Sequence, residues 1–208
     1  VLVMVVTMTL SDVVNNAATA VIMAPIAATI ATDLGVGASV HLRMFGAHPA
    51  LETADDYLSV SRIAEAMAAA AAFDNVTVYA DTFVDIDRGY FPRTGVLDRM
   101  FNPRPGFHLV RHLNAALNRV DGEISAGAVG ECPGGRYIQL QVGKGTIVLA
   151  LPDTHATELS VPFGAAHGEQ IDLGSGEIAP VAVENDNTVS VIVPMSNGVT
   201  FPVLIIPG

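Results

Sequence analysis

After Gly122 the helical period of the chain stops, and that break constrains the fold more than any other feature. Residues 123–208 consist of short runs, "RYIQLQV", "TIVLAL", "ATELSVP", "EIAPVAV", "TVSVIVP" and "TFPVLIIP", separated by "GKG", "DLGSGE", "ENDN" and "SNG". Short runs that alternate or stay apolar, rich in β-branched side chains and punctuated by Gly, Asn and Asp, are strands joined by tight turns. The spacing predicts an antiparallel β-sandwich over 123–208. This region holds little chemistry of its own. His155 and His167 stand alone, without a second ligand at metal-binding spacing. Cys132, in "ECPGG", is the only cysteine, so it forms no intrachain disulfide, and no histidine lies close enough in sequence to activate it.

Residues 40–122 follow another rhythm. "SVHLRMF" reads as a strand closed by the turn signal "GAHP". In "TADDYLSVSRIAEAMAAAAAF", Tyr57, Val60, Ala64, Met67 and Ala71 recur at helical spacing, and Thr53 with Asp56 approximates a capping box. "NVTVYADTFVDI", Asn75 to Ile86, is β-branched and aromatic and predicts a mostly buried strand. The loop "DRGYFPRTGVLDRMFNPRPG" leads to a second helix, "FHLVRHLNAALNRV", with Leu109, Val110, Leu113, Ala116 and Leu117 on its apolar face. Strand, helix, strand, helix implies parallel β–α units, in which chemistry gathers on the loops after the strands.

The loop after the second strand is dense in such chemistry. Asp85 and Asp87, at the predicted strand terminus, are the candidate catalytic carboxylates. Asp81, Arg88, Tyr90 and Arg93 are candidate substrate contacts, joined by His48 from the loop after the first strand. Rings beside acid and guanidinium groups suit a carbohydrate or polyol, the ring meeting C–H faces while fixed donors and acceptors hold hydroxyls. The plainer reading of the same residues, with Asp98, Arg99, Asn102 and Arg104, is an ion-pair network that pins a long connection to the rim. His108 and His112 are four apart on a helix, a metal-ligand spacing, but no third ligand accompanies them. No metal or cofactor is expected. Neither a GxGxxG fingerprint nor a Walker-type loop occurs.

Charge divides the chain. Residues 1–39 carry only Asp12 and Asp33, whereas 40–208 hold all ten basic and nineteen acidic residues, a net −9. Without clustered basic residues no nucleic-acid partner is expected. Val13 to Thr32 is uncharged over membrane length, with no basic stretch before it of the kind a signal peptide has.

Two resemblances follow. "TLSDVVNNAATAVIMAPIAATIA" resembles the helical-hairpin region of the divalent-anion:sodium symporter family, the di- and tricarboxylate transporters. It implies that Ser11, Asn15, Asn16 and Thr19 stand at a polar tip that binds Na⁺ or a carboxylate, with residues 1–36 in a membrane. "DTFVDIDRGYFPRTGVLDRMFNPRPG" with "HLVRHLNAAL" resembles the C-terminal end of a (β/α)₈ glycoside-hydrolase-type protein, the last two β–α units followed by a β-sandwich. Many such enzymes place a Glu nucleophile at the end of the seventh strand, where this chain runs through Phe45, Gly46, Ala47 and His48.

The expected architecture is therefore α/β plus all-β. An apolar, transporter-like helix spans 1–39, two incomplete (β/α) barrel units span 40–122, and the antiparallel sandwich spans 123–208. The expected function is a fragment of a carbohydrate-active, glycoside-hydrolase-like protein that is not competent alone, since hydrolysis requires two facing carboxylates. The alternatives are a fragment of a sodium-coupled carboxylate transporter, or a chimera of the two. Residues 40–208 are expected to be soluble, with membrane association only if 1–36 inserts, and open sheet edges predict self-association.

Overall fold

The computed structural model describes residues 33–42, 56–80, 83–85, 95–184 and 187–208. Ser11, Asn15, Asn16, Thr19 and Thr53 lie outside them, as do residues 1–32 of the expected apolar helix; of its last seven residues, Ala38 and Ser39 belong to a strand instead.

The first two strands form a small parallel pair. β1 (Ala38–Leu42) lies beside β2 (Val76–Ala80), with Ala38 opposite Val76 and Leu42 opposite Ala80. Helix α1 (Asp56–Ala72) makes the crossover between them, as parallel pairing demands. The expected strand over Asn75–Ile86 is shorter and less buried than its composition suggests. It ends at Ala80, and Thr77 and Tyr79 are exposed while Val76 is buried. Among the described strands β2 pairs only with β1, so no second neighbour extends it.

Helix α2 (Pro105–Leu117) begins two residues before the expected start, because proline's fixed φ suits the first turn. Leu109, Leu113 and Ala116 are buried, as their spacing predicts, with Val110 and Leu117 packed at the margin. Gly106 lets the two helices approach: a β-carbon there would lie 2.9 Å from the Ile63 Cδ1 of α1.

The rest is antiparallel. The main sheet has six strands in the order β3 (Ile124–Cys132), β4 (Gly135–Val142), β5 (Gly145–Pro152), β12 (Val203–Pro207), β7 (His167–Asp172), β8 (Ile178–Ala182). β6 (Glu158–Pro162) and β9 (Thr188–Ile192) form a separate pair, and β10 (Met195–Ser196) with β11 (Val199–Thr200) a short hairpin. The described strands close no barrel.

Two cores meet at the main sheet, one on each face. Ile147, Leu149 and Leu151 of β5 and Leu204 and Ile206 of β12 join Val60, Ile63, Leu109 and Leu113 of the helices. Val148 and Ala150 of β5 and Val203 and Ile205 of β12 join Leu159, Val161, Val189 and Val191 of the β6–β9 pair. The central strands are thus covered on both sides, which is why "IVLAL" and "VLIIP" read as unbroken apolar runs. The expected sandwich has a two-stranded ribbon as its second layer, and the helices take the opposite face.

Polar contacts also run between the helices and the sheet. The Arg136 guanidinium of β4 lies 2.6 Å from the Glu65 carboxylate of α1, and Arg119, just past α2, lies 3.1 Å from Glu169 of β7. His112 Nδ1 lies 3.1 Å from the Leu173 carbonyl oxygen, and its ring fills the space beneath Gly176.

Candidate functional site

The sequence places the candidate site around the C-terminal end of β2. Of the candidate catalytic and substrate residues, Asp85 is described, whereas His48, Asp81, Asp87, Arg88, Tyr90 and Arg93 lie outside the described residues.

Past β2 the backbone continues through Phe83, Val84 and Asp85 and is met by the segment returning at Gly95–Leu97. Val84 and Leu97 form a parallel bridge, the Leu97 amide donates to the Phe83 carbonyl at 2.9 Å, and the Asp85 amide donates to the Leu97 carbonyl at 3.1 Å. This brings together the two segments that flank residues 86–94. The Asp85 carboxylate then links them. One oxygen accepts from the Gly95 amide at 2.9 Å, and the other pairs with Arg104, whose second guanidinium nitrogen reaches the Gly95 carbonyl at 3.5 Å. The pair is well shielded, with 8% of the Asp85 side chain and 17% of the Arg104 side chain exposed. Both oxygens of Asp85 therefore have partners within the chain, and the side chain joins the segments on either side of residues 86–94.

Arg104 is also the N-cap residue of α2, yet its side chain caps no helix amide. Its guanidinium pairs with Asp85 instead, which fastens the segment at Asp85 to the start of the helix. Gly95 admits this closeness: a β-carbon would lie 2.6 Å from the Asp85 nitrogen and 2.7 Å from the Leu97 oxygen. The sequence shows Asp85, Gly95 and Arg104 as separate members of a polar loop, and no local spacing announces that they meet.

Asp98, Asn102 and their neighbours form a turn of their own. The Asp98 carboxylate accepts from the Met100 and Asn102 amides at 2.8 Å each and from the Asn102 side-chain amide at 2.9 Å. These bonds, the side chain of Asn102 foremost, hold the Asp98 carboxyl below its usual range. The turn carries Phe101 at a φ of +64° with its ring exposed, a conformation bulky residues seldom adopt. Nearby, Phe83 is exposed and meets Phe107 edge-on at 6.4 Å between ring centres.

The other reactive side chains have ordinary surroundings. His108 and His112 lie 6.2 Å apart between ring centres, and no group of three or more described His, Cys, Asp or Glu residues is placed to hold a metal ion. Burial pushes the Cys132 thiol above its usual range, reinforced by Asp153, which suppresses the thiolate. "CPGG" proves to be the tight turn between β3 and β4. His155 and His167 are exposed.

No family profile matches this chain, and no curated protein does. Solved structures do. A family 39 glycoside hydrolase from the gut symbiont Bacteroides cellulosilyticus WH2 matches with a TM-score of 0.51 at 12% identity, over 75% of this chain and 31% of that one. A family 5 glycoside hydrolase from Bacteroides vulgatus matches at 0.49 and 12%, over 77% and 38%, and a further glycoside hydrolase at 0.47 and 16%, over 77% and 39%. Of these three, the first is alike enough to bear an argument, and that argument concerns fold. The chain spans about a third of the length of the structures it matches. Nothing found here supports the symporter reading, and no described helix is long and apolar enough to cross a membrane. The described part of the chain has a glycoside-hydrolase-like fold.

Proposed function

We propose that this chain is the loop-and-sandwich portion of a carbohydrate-active protein, and that the loop fastened by Asp85, Gly95 and Arg104 is the part that meets the sugar. The observation that carries this reading is the likeness, over three quarters of the chain, to the family 39 glycoside hydrolase. In this reading Asp85 is a positioning residue and Asp87 is the carboxylate offered to substrate. Asp81, Arg88, Tyr90, Arg93 and His48 supply ring and hydrogen-bond contacts to sugar hydroxyls. Hydrolysis needs a second carboxylate facing the first across the glycosidic bond. In barrel enzymes catalytic groups come from the ends of several strands, and the described part of this chain has two parallel ones.

Two measurements test the proposal. The chain alone is expected to leave chromogenic glycosides uncleaved while binding oligosaccharides weakly in an NMR or calorimetric titration. Substituting Arg88→Ala and Tyr90→Ala together is expected to weaken that binding about tenfold, the loss of roughly 1.4 kcal/mol of contact. Turnover by the isolated chain would overturn its role as an incomplete portion. Binding that is absent, or unchanged in the double variant, would overturn the placement of sugar at this loop.

A further inference from the structure

A groove of about 390 Å³ lies on the side of α2 that faces the β7–β8 and β10–β11 turns. Pro103, Pro105 and His108 form one wall, Asp172, Gly174 and Ser175 the second, and the hairpin residues Met195 to Asn197 the third, with Phe201 also lining it. None of these residues belongs to the loop fastened by Asp85. The volume falls within the range of small-molecule sites.

The lining selects among ligand classes. No lysine or arginine lines the groove, so nothing there would neutralise a phosphate or carboxylate. The one acid, Asp172, has both oxygens engaged: one accepts from the Gly174 amide at 2.7 Å, the other from the Ser175 hydroxyl. It is thus poorly suited to a free cation. The remaining polar groups, the Ser196 hydroxyl, the Asn197 amide and the His108 ring, can both donate and accept. Between them lie the prolines and Met195, surfaces that suit C–H groups rather than charge, over a floor that reaches the buried Phe201. A neutral, hydroxyl-rich molecule with apolar C–H faces matches both halves of this lining.

The hairpin that carries part of it is sharply formed. Met195 pairs with Thr200 and Ser196 with Val199, leaving Asn197 and Gly198 as a two-residue turn with φ of +51° and +78°. Positive φ at both positions is the primed turn that matches strand twist. The turn holds the Asn197 side chain on the groove wall with a backbone fixed before any ligand arrives, which lowers the entropic cost of binding.

We infer that this groove is a second, non-catalytic binding site for a neutral sugar, separate from the loop of the proposed function. The test uses the intact, isotopically labelled chain, titrated with D-glucose, D-galactose, D-xylose, and the β-1,4-linked disaccharides of glucose and of xylose. The amides of Gly174, Ser175, Ser196 and Asn197 are expected to shift with at least one probe at up to about 50 mM, as a millimolar site would show. A variant combining Met195→Ala, Ser196→Ala and Asn197→Gly is expected to weaken that binding at least tenfold with its melting temperature unchanged, because glycine accepts the turn's positive φ. Shifts that persist in this variant, or that no probe produces at these four amides in the unmodified chain, would overturn the inference. The Arg88→Ala, Tyr90→Ala variant separates the two sites. Groove shifts that survive it support the inference whatever becomes of the loop, and groove shifts lost only there overturn it while leaving the loop reading in place.

Discussion

A β-carbon on Gly134 would lie 2.3 Å from the carbonyl oxygen of Glu158, and the residue has a φ of +86°. Both conditions exclude an L side chain, since the obstacle is backbone and the conformation is left-handed. Gly134→Ala is expected to cost about 2–4 kcal/mol, read as a lower urea midpoint at unchanged slope; a cost below about 1 kcal/mol would mean that the turn relaxes. Two carboxylates give opposite pH signatures. Asp98, held low by its hydrogen bonds with Asn102 and Met100, contributes stability that is present above its ordinary value of 3.8 and lost as pH falls through its lower folded value. The advantage of the native chain over Asp98→Asn should therefore be full near neutrality and vanish in acid. Glu65 runs the other way: burial raises its pKa from 4.5 more than Arg136 and Arg62 lower it. A raised carboxyl contributes stability that is full below 4.5 and lost as pH rises through the folded value. Relative to Glu65→Gln, the native chain should thus lose stability between pH 4.5 and neutrality, measured by denaturant midpoints at several pH values; a rising difference would overturn the assignment of burial as the dominant effect.

Strands β5 and β12 show what a sequence pattern conveys about an element. Their unbroken apolar runs make both faces legible as buried, and both faces are buried. Leu204 faces the helices and Ile205 the β6–β9 ribbon, each fully enclosed, so Leu204→Ala and Ile205→Ala should each cost about 2–5 kcal/mol. Ile192, at the end of β9, is 76% exposed, and Ile192→Ala should change the unfolding midpoint by no more than about 0.5 kcal/mol. Equal effects at the three positions would overturn the two-core arrangement. Other elements were less legible. β3, "ISAGAVGEC", carries small residues because Gly127 meets the Gln139 backbone and Gly130 lies under the Tyr137 ring, partners a full strand away. β7, "HGEQID", buries only Gly168 and Ile171, too few apolar positions to declare a strand before β12 and β8 pair with it. At β2 the pattern overstates the strand, since β-branched composition extends to Ile86 but the ladder with β1 ends at Ala80. At the candidate site the strand end and the helix start were readable. The convergence of Asp85, Gly95 and Arg104 depends on a chain reversal that no periodicity encodes.

Across the whole molecule the helices and the main sheet share one core. Val60, Ile63, Leu109 and Leu113 pack with Leu149, Leu204 and Phe201, so the face of the sheet that the helices cover is as apolar as the face beneath the β6–β9 ribbon. The exposed polar tie between Arg119 and Glu169 adds little to this, because two partly solvated charges give up hydration and side-chain freedom for a screened attraction. Apolar burial is what joins the two layers. A segment comprising residues 123–208 alone would keep the ribbon-side core and lose the helix-side one, leaving Ile147, Leu149, Leu204 and Ile206 uncovered on contiguous strands. A patch of that kind is an association surface. The isolated segment is therefore expected to bind a hydrophobic dye and to sediment as dimers or larger species, while residues 33–208 bind little dye and unfold in a single cooperative step. Should residues 123–208 prove monomeric, dye-silent and as stable as the longer chain, the helices would be an appendage, and the fold would divide near Gly122 where the sequence changes rhythm. If instead the helices are required, the structural unit extends across that change of rhythm, and the loop fastened by Asp85 and Arg104 is held by the same core that holds the sheet.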